Sequence, residues 1–366
     1  MKTAEALAVL DAPLDAEVDQ DELVQAAMQW HFSPETGTPF WLDRLDQLDF
    51  DPRSDVRTMD DLRMFPQFVD DLRYAPVESL LPRGYGGTAE VIGVFESGGT
   101  TGVPKRVLYL ADWMEREMAG AMRAMDERGY PWGVNWLSLG PSGPHDYAEL
   151  TGQHARRRNG VRFAVDFDPR WVRRCLREGR GEEAERYLDH VLTQAAHVLG
   201  SQRIGAIQAP PPLLERLARD ERLVDMVRGQ VHVITWCGTS MDPDTRDLLR
   251  NDVFPGIPVY GLYGSTMALG AAFERPATEN GDSVFDSPSP HVTYAVVDPD
   301  SGKPVAVGER GQVVMHHLSK SALLPNNRER DVARRAAEPP GVTGHSVADV
   351  RPLETFTGVP VIVGAY

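Results

Sequence analysis

The alternation of apolar and polar positions divides the chain into three stretches. Residues 1–90 carry apolar side chains near the helical period, clearest in Leu23, Val24, Ala27, Met28 and Trp30, and predict a mostly helical opening with a loop at residues 33–38. Residues 91–290 alternate short apolar runs with amphipathic stretches, which is the order of an α/β domain. From Val292 the pattern changes to short strands at residues 292–297, 311–316, 347–350 and 359–363, with a turn at Asp300, Ser301 and Gly302. The predicted fold class is α/β, with a core over residues 1–290 and a smaller β-rich subdomain over residues 291–366.

Inside the α/β stretch, apolar runs at residues 91–96 and 106–110 predict two strands around a glycine-rich turn. Asp112, with Glu115 three residues on, reads as a capping box for a helix that Gly129 and Pro131 end. A strand from Trp136 then runs into a Pro/Gly turn carrying His145, Asp146 and Tyr147. A short run at residues 161–167 precedes one long Arg- and Glu-laced helix at residues 171–199, whose charges read as a solvated face. Residues 204–209 predict a buried strand, and Pro210, Pro211 and Pro212 open the next helix, where proline needs no N–H partner. Two strand-then-turn units follow at residues 231–240 and 259–266, with polar turns at the strand ends where ligands of α/β sheets bind.

The turn at residues 97–105 is where chemistry first shows. Gly98, Gly99 and Gly102 allow successive backbone N–H groups to converge on one anion, while Ser97, Thr100 and Thr101 add hydroxyls and Lys105 a positive charge. A P-loop would place Lys-Ser/Thr directly after glycine and continue into a helix; here Pro104 precedes the lysine and a strand follows. A plain hairpin needs only two or three turn residues. The loop suits a polyphosphate.

A formal net charge of −16 over 366 residues argues against a nucleic-acid groove, which clustered Lys and Arg would have to supply. Cys175 and Cys237 lie far apart, without the spacing of a disulfide framework or a zinc site. The acidic N-terminus lacks the basic and apolar regions of a signal peptide, and no apolar run reaches membrane-spanning length, so a cytoplasmic protein without membrane partners is expected.

The order Ser-Gly-Gly-Thr-Thr-Gly-x-Pro-Lys resembles the phosphate loop of the adenylate-forming enzymes: acyl-CoA synthetases, aryl acid ligases, peptide-synthetase adenylation domains and luciferase. Two later stretches, in the same order, extend the resemblance. Gly238, Thr239 and Ser240 resemble the small-residue turn whose backbone packs on the adenine. Tyr263, Gly264, Ser265 and Thr266 resemble Tyr-Gly-x-Thr-Glu, in which the ring covers the adenine and the threonine hydroxyl binds the α-phosphate. Residues 326–331 occupy the place of Tyr-Arg-Thr-Gly-Asp, which makes Asp331 the candidate for the ribose hydroxyls; a surface ion-pair network of Arg328, Arg330 and Asp331 is the alternative. The resemblance implies a core of stacked β-sheets with flanking helices. It implies Lys105 and Thr266 as catalytic residues, with Ser97, Gly98, Gly99, Thr100, Thr101, Gly102 and the two later turns holding the nucleotide. His145, Tyr147, Trp236 and Gly261 are expected around the acyl group, although a solvated loop histidine is an equal reading of His145.

Two departures qualify what the resemblance implies. The family glutamate that helps hold Mg²⁺ falls at Met267, so no protein metal ligand is assigned, and Mg²⁺ would rely on the phosphates, Thr266 and water, or on Glu274. The chain stops at Tyr366, where family members continue into a mobile C-terminal domain; this layout resembles the phenazine-biosynthesis proteins of the phenylacetate-CoA-ligase-like branch, whose entry segment Thr36, Gly37, Thr38 and Pro39 also resemble. The expected activity is ATP-dependent adenylation of an aromatic carboxylic acid in bacterial secondary metabolism. A diazotase that activates nitrite and a non-catalytic aryl-acid and nucleotide-binding protein are the alternatives. Expected cofactors are ATP and Mg²⁺. Expected partners are an aryl acid and ATP or AMP, with coenzyme A, a carrier protein, a partner supplying the absent domain and a second copy of the chain as further candidates.

Overall fold

Residues 91–110 form the antiparallel hairpin that their two apolar runs predict: β1 (Val91–Glu96) pairs with β2 (Arg106–Leu110), closing at Glu96 opposite Arg106. The computed structural model describes residues 7–13, 17–98, 102–276, 281–353, 355–356 and 359–360. Ahead of the hairpin, α1 (Gln20–Phe32) is capped by Asp19, whose carboxylate accepts from the N–H groups of Asp21 and Glu22. The rest of this opening is a series of short helical turns rather than long helices.

Helix α2 (Ala111–Glu127) starts one residue earlier than its sequence signal. The capping box does not form. Asp112 lies inside the first turn and accepts instead from the hydroxyls of Tyr85 and Ser321, while Glu115 pairs with Arg157. The cap signal fails because the side chains are claimed by tertiary partners.

The central sheet has six strands in the order β4 (Arg162–Asp166), β3 (Asn135–Gly140), β5 (Ile204–Ala209), β6 (Val233–Cys237), β7 (Val259–Ser265), β8 (Gly270–Phe273). Pairing is parallel from β4 to β7, and β8 closes the edge antiparallel. Strands β3, β5 and β6 are almost entirely buried, which explains their near-continuous apolar runs. The connections are α3 (Asp146–Arg157) after β3, α4 (Pro169–Arg177) and α5 (Gly181–Ser201) after β4, and α6 (Pro211–Ala218) and α7 (Glu221–Arg228) after β5. The single long helix expected over residues 171–199 is two helices. Gly179, at φ +71°, takes a left-handed conformation that ends α4.

The strand order reverses at β3, with β4 on one side and β5 on the other. A crevice therefore opens at the carboxyl ends of β3 and β5 to β7.

A second, antiparallel sheet runs β10 (Val292–Val297), β11 (Arg310–Leu318), β12 (Leu323–Ala336), β13 (Ser346–Pro352), β9 (Val284–Phe285). Strand β12 carries Asn326 to Asp331 in extended backbone, with Asn326 itself at φ +50° and irregular register against β11. The two sheets and the N-terminal helices share one apolar core. Trp113 shows how it is tied together: its Nε1–H donates to the Leu269 carbonyl at 2.7 Å, and its ring lies 4.3 Å from that of His317 on β11. Burial of one such side chain contributes about 1.5–3 kcal/mol. Strand residues 359–360 pair with 355–356, and the remainder of the apolar run predicted at 359–363 lies outside the described residues.

Candidate active site

A cavity of about 280 Å³ occupies the crevice, walled on one side by the ends of β6 and β7 and on the other by β12 and β13. The hairpin contributes its near edge. Ser97 and Gly98 line the cavity where β1 ends, and Lys105 lines it where β2 is about to begin. The two ends are stitched together: Ser97 N–H donates to the Lys105 carbonyl at 2.9 Å, and Lys105 N–H donates to Ser97 Oγ at 3.0 Å. The Lys105 ammonium lies 3.3 Å from the Asp70 carboxylate, which Arg73 also contacts at 3.0 Å. Gly102, at φ +135°, tolerates a conformation that a side chain would strain. Gly99, Thr100 and Thr101 lie outside the described residues.

Facing the hairpin, Gly238 at φ +85° turns the chain at the end of β6, and Thr239 and Ser240 follow it along the cavity wall. At the end of β7, Tyr263, Gly264 and Ser265, with Thr266 just beyond the strand, line the same space. The Tyr263 hydroxyl donates to Asp331 Oδ2 at 3.1 Å, bringing together two residues that are 68 positions apart in the chain. Asp331 is half-buried, and enclosure by the cavity walls holds its carboxyl above the usual range. Glu329 lines the wall two residues away; its carboxyl is raised by burial and by Asp331, and it accepts from Asn327 Nδ2 at 2.7 Å.

The third wall is the expected acyl side. His145 is buried, and burial together with Arg170 and Arg173 lowers its pKa to about 4, so its imidazole is neutral. Tyr147 lines the cavity, but its hydroxyl donates to the Gln208 carbonyl at 2.8 Å, which makes it a wall rather than a proton donor. Trp236 lines the cavity. Gly261 does not reach it directly: it lies behind Trp236, where a Cβ would sit 2.6 Å from the indole and 2.8 Å from Phe285.

Several lining residues carry no motif in the sequence. Asp146 lines the cavity and has a carboxyl raised by burial, an effect that Thr266 beside it opposes. Leu150 and Phe285 add apolar surface, and Gln208 a buried amide. Asp146 directly follows His145 in the turn after β3 and opens α3, and that adjacency is the sequence signal that marks it.

Residues 184–319 match the family model described as AMP-binding enzyme. The chain superposes on 2-hydroxyisobutyryl-CoA ligase in the postadenylation state in complex with 2-HIB-AMP at a TM-score of 0.65 and 16% identity, covering 93% of this chain and 69% of that one. On the same ligase in an open conformation with 2-HIB-AMP and CoA the TM-score is 0.63 at 16% identity, covering 90% of this chain and 67% of that one. The fold is that of an adenylate-forming ligase. No curated protein matches the chain in sequence. Within this fold the AMP-binding match runs from α5 to the end of β11, so it contains the Gly238 and Tyr263 turns and leaves Lys105 and Asp331 to be placed by geometry.

Neither position that the sequence offers for a magnesium ligand supplies one. Met267 is 4% exposed and presents a thioether, a poor donor for a hard cation. Glu274 is no substitute: it is 2% exposed, and its carboxylate accepts from Gly261 N–H at 2.7 Å and pairs with Arg250 at 2.8 Å. Among the described residues no group of three or more His, Cys, Asp or Glu is arranged to hold a metal.

Proposed function

We propose that this protein uses ATP to convert an aromatic carboxylic acid into its acyl-adenylate, releasing pyrophosphate. The observation that carries the reading is the convergence of Ser97, Lys105, Thr266, Tyr263 and Asp331 on one cavity that the rings of Trp236 and Phe285 also line. Purines and aryl groups need flat apolar surfaces with a few fixed polar groups, and Tyr263, Phe285 and Trp236 supply those surfaces. In this reading Asp331 accepts from the ribose hydroxyls, as a carboxylate with two acceptor oxygens does well.

The chemistry is an in-line displacement. A carboxylate oxygen of the acid bonds to the α-phosphorus as the bond to the β-phosphate oxygen breaks, and pyrophosphate departs with the charge. Lys105 and the amides of the hairpin turn hold the departing phosphates, and the Thr266 hydroxyl orients the α-phosphate, so donors stand where negative charge grows. No base is required, because the nucleophile is already ionised at neutral pH. His145, held neutral, adds no positive charge beside the acid.

Coenzyme A is the proposed acceptor of the activated acyl group, since the ligase sharing this fold is described in complex with CoA. That the acid belongs to secondary metabolism, and that the chain belongs to the phenylacetate-CoA-ligase-like branch, rests on the sequence resemblance alone. Pyrophosphate exchange and mass spectrometry of the adenylate, run over a panel of aryl and short aliphatic acids, test the proposal. Turnover with aryl acids is expected. ATP binding without exchange for any acid would overturn it.

A further inference from the structure

Two arginines on α4 reach out of their helix to the phosphate hairpin. The Arg173 guanidinium donates through Nη2 to the Gly98 carbonyl, and Arg170 donates through Nη2 to the Ser97 carbonyl at 3.0 Å. Arg170 also pairs with Glu96 at 2.9 Å, and Glu96 in turn pairs with Arg106 at 3.0 Å across the hairpin. Both faces of the loop entrance are thus tied to one helix. That helix is itself fixed, since the Asp168 carboxylate caps it by accepting from the N–H groups of Arg170 and Trp171 at 2.8 and 3.2 Å.

The arrangement is costly for a position with only a packing role. Arg173 is 3% exposed, its Nη1 is buried without a hydrogen-bond partner among the described residues, and Arg170 Nε is in the same condition. The crowding of Arg330, Arg177 and Arg170 adds to burial in pushing the Arg173 pKa down to about 10, which still leaves it charged at neutral pH. An apolar side chain would fill this space without those penalties. What the guanidinium adds is a fixed direction for two consecutive carbonyls.

We propose that Arg170 and Arg173 are positioning residues for the phosphate loop: by holding the Ser97 and Gly98 carbonyls toward α4, they set the loop entrance in the orientation that receives a polyphosphate. The physical reason is that a peptide plane has two ends. Fixing the carbonyl end of successive planes on one side commits the N–H groups to other directions, and an anion nest depends on such commitment before the ligand arrives. Neither arginine lines the cavity, so neither is expected to touch the nucleotide. The inference rests on the proposed use of ATP.

The experiment compares wild type with Arg173→Gln, Arg173→Lys and Arg170→Gln. Hydrogen exchange of the peptide covering Ser97 and Gly98, measured without nucleotide, reads the clamp itself; calorimetry with ATP and with AMP reads its consequence. Arg173→Gln is expected to speed exchange in that peptide while leaving the β5 and β6 peptides unchanged. It is expected to weaken ATP roughly tenfold or more and AMP by no more than about twofold, with Arg173→Lys recovering part of the loss. Arg170 is more exposed than Arg173, so Arg170→Gln carries the same test if Arg173→Gln fails to fold. Unaltered exchange at the hairpin, or equal losses of ATP and AMP, would overturn the clamp. Wild-type protein that binds no ATP would instead remove the functional reading, with the exchange result still deciding whether the arginines hold the loop.

Discussion

The Tyr263 hydroxyl donates to the Asp331 carboxylate across 3.1 Å and so joins the end of β7 to the middle of β12 over the cavity. This bond acts to lower the Asp331 carboxyl, against burial, which acts to raise it. Replacing Tyr263 by Phe keeps the ring and removes the bond. A hydrogen bond to a charged group is worth about 1.5–3 kcal/mol. The expected result is weaker AMP binding by up to that amount and an AMP-binding profile whose acidic limb moves to higher pH in Tyr263→Phe. Identical profiles for the two proteins would show that the hydroxyl does not support Asp331.

Lys105 and Asp70 form the second testable pair. Their 3.3 Å contact occupies the ammonium that the phosphates are proposed to use, but Asp70 is well exposed and the pair is worth little in water. Lys105→Ala is expected to weaken ATP by about 1–3 kcal/mol and AMP much less. Asp70→Asn, which releases the lysine, is expected to strengthen ATP binding by no more than about 1 kcal/mol. Calorimetry of the two variants with both nucleotides checks this, and an ATP affinity untouched by Lys105→Ala places the ammonium away from the phosphates.

Gly261 shows how a backbone position shapes the pocket at one remove. A Cβ there would lie 2.6 Å from the Trp236 indole and 2.8 Å from Phe285, both of them cavity-lining rings. Overpacking of this kind costs about 1–3 kcal/mol. Gly261→Ala is therefore expected to lower the denaturation midpoint and also to alter acid selectivity, because the indole must move. Unchanged stability with unchanged selectivity would mean that the wall yields freely.

The parallel strands and the hairpin were legible because buried sheets demand continuous apolar runs, and residues 204–209 and 233–237 have them. Strand β12 was not. The pattern predicts no strand over Asn326 to Asp331, because several of these side chains face a cavity rather than a core and the alternation that marks a half-buried strand is missing. The site divides the same way. Residues in glycine-rich turns announce themselves through local backbone demands, whereas Asp146, Glu329 and Arg173 act through neighbours distant in sequence, and only packing brings those together. Asp112 and Glu115 are the converse case, a local helix-start signal overridden by tertiary hydrogen bonds.

The last prediction concerns acid stability. His31, His291, His316 and His317 are buried, and burial lowers their pKa values to about 4, 4, 4 and 3. Around Ser319 the neutral form of two of these rings is built into the hydrogen bonding. His31 Nε2–H donates to the Ser319 carbonyl at 2.7 Å, which leaves Nδ1 to accept from Thr38 Oγ1 at 2.6 Å. His317 Nδ1–H donates to the Ala268 carbonyl at 2.8 Å, which leaves Nε2 to accept from Ser319 Oγ at 2.6 Å. A second proton would face a hydroxyl already donating to the ring. Folded values lie below the unfolded value near 6.5, so the unfolded chain binds more protons as pH falls. Stability is complete above about pH 6.5 and declines as the pH drops toward the folded values, by about 1.4 kcal/mol per pH unit for each such imidazole. The raised carboxyls of Asp146, Glu329 and Asp331 act in the opposite sense, because the folded state takes up their protons first. Comparison with His31→Gln and His317→Gln isolates the imidazoles. Urea midpoints are expected to be level between pH 8 and 7 and to fall between pH 6.5 and 4.5, less steeply in either variant relative to its own value at pH 8. Variants that decline as steeply as the wild type would show that these rings accept protons in the folded protein.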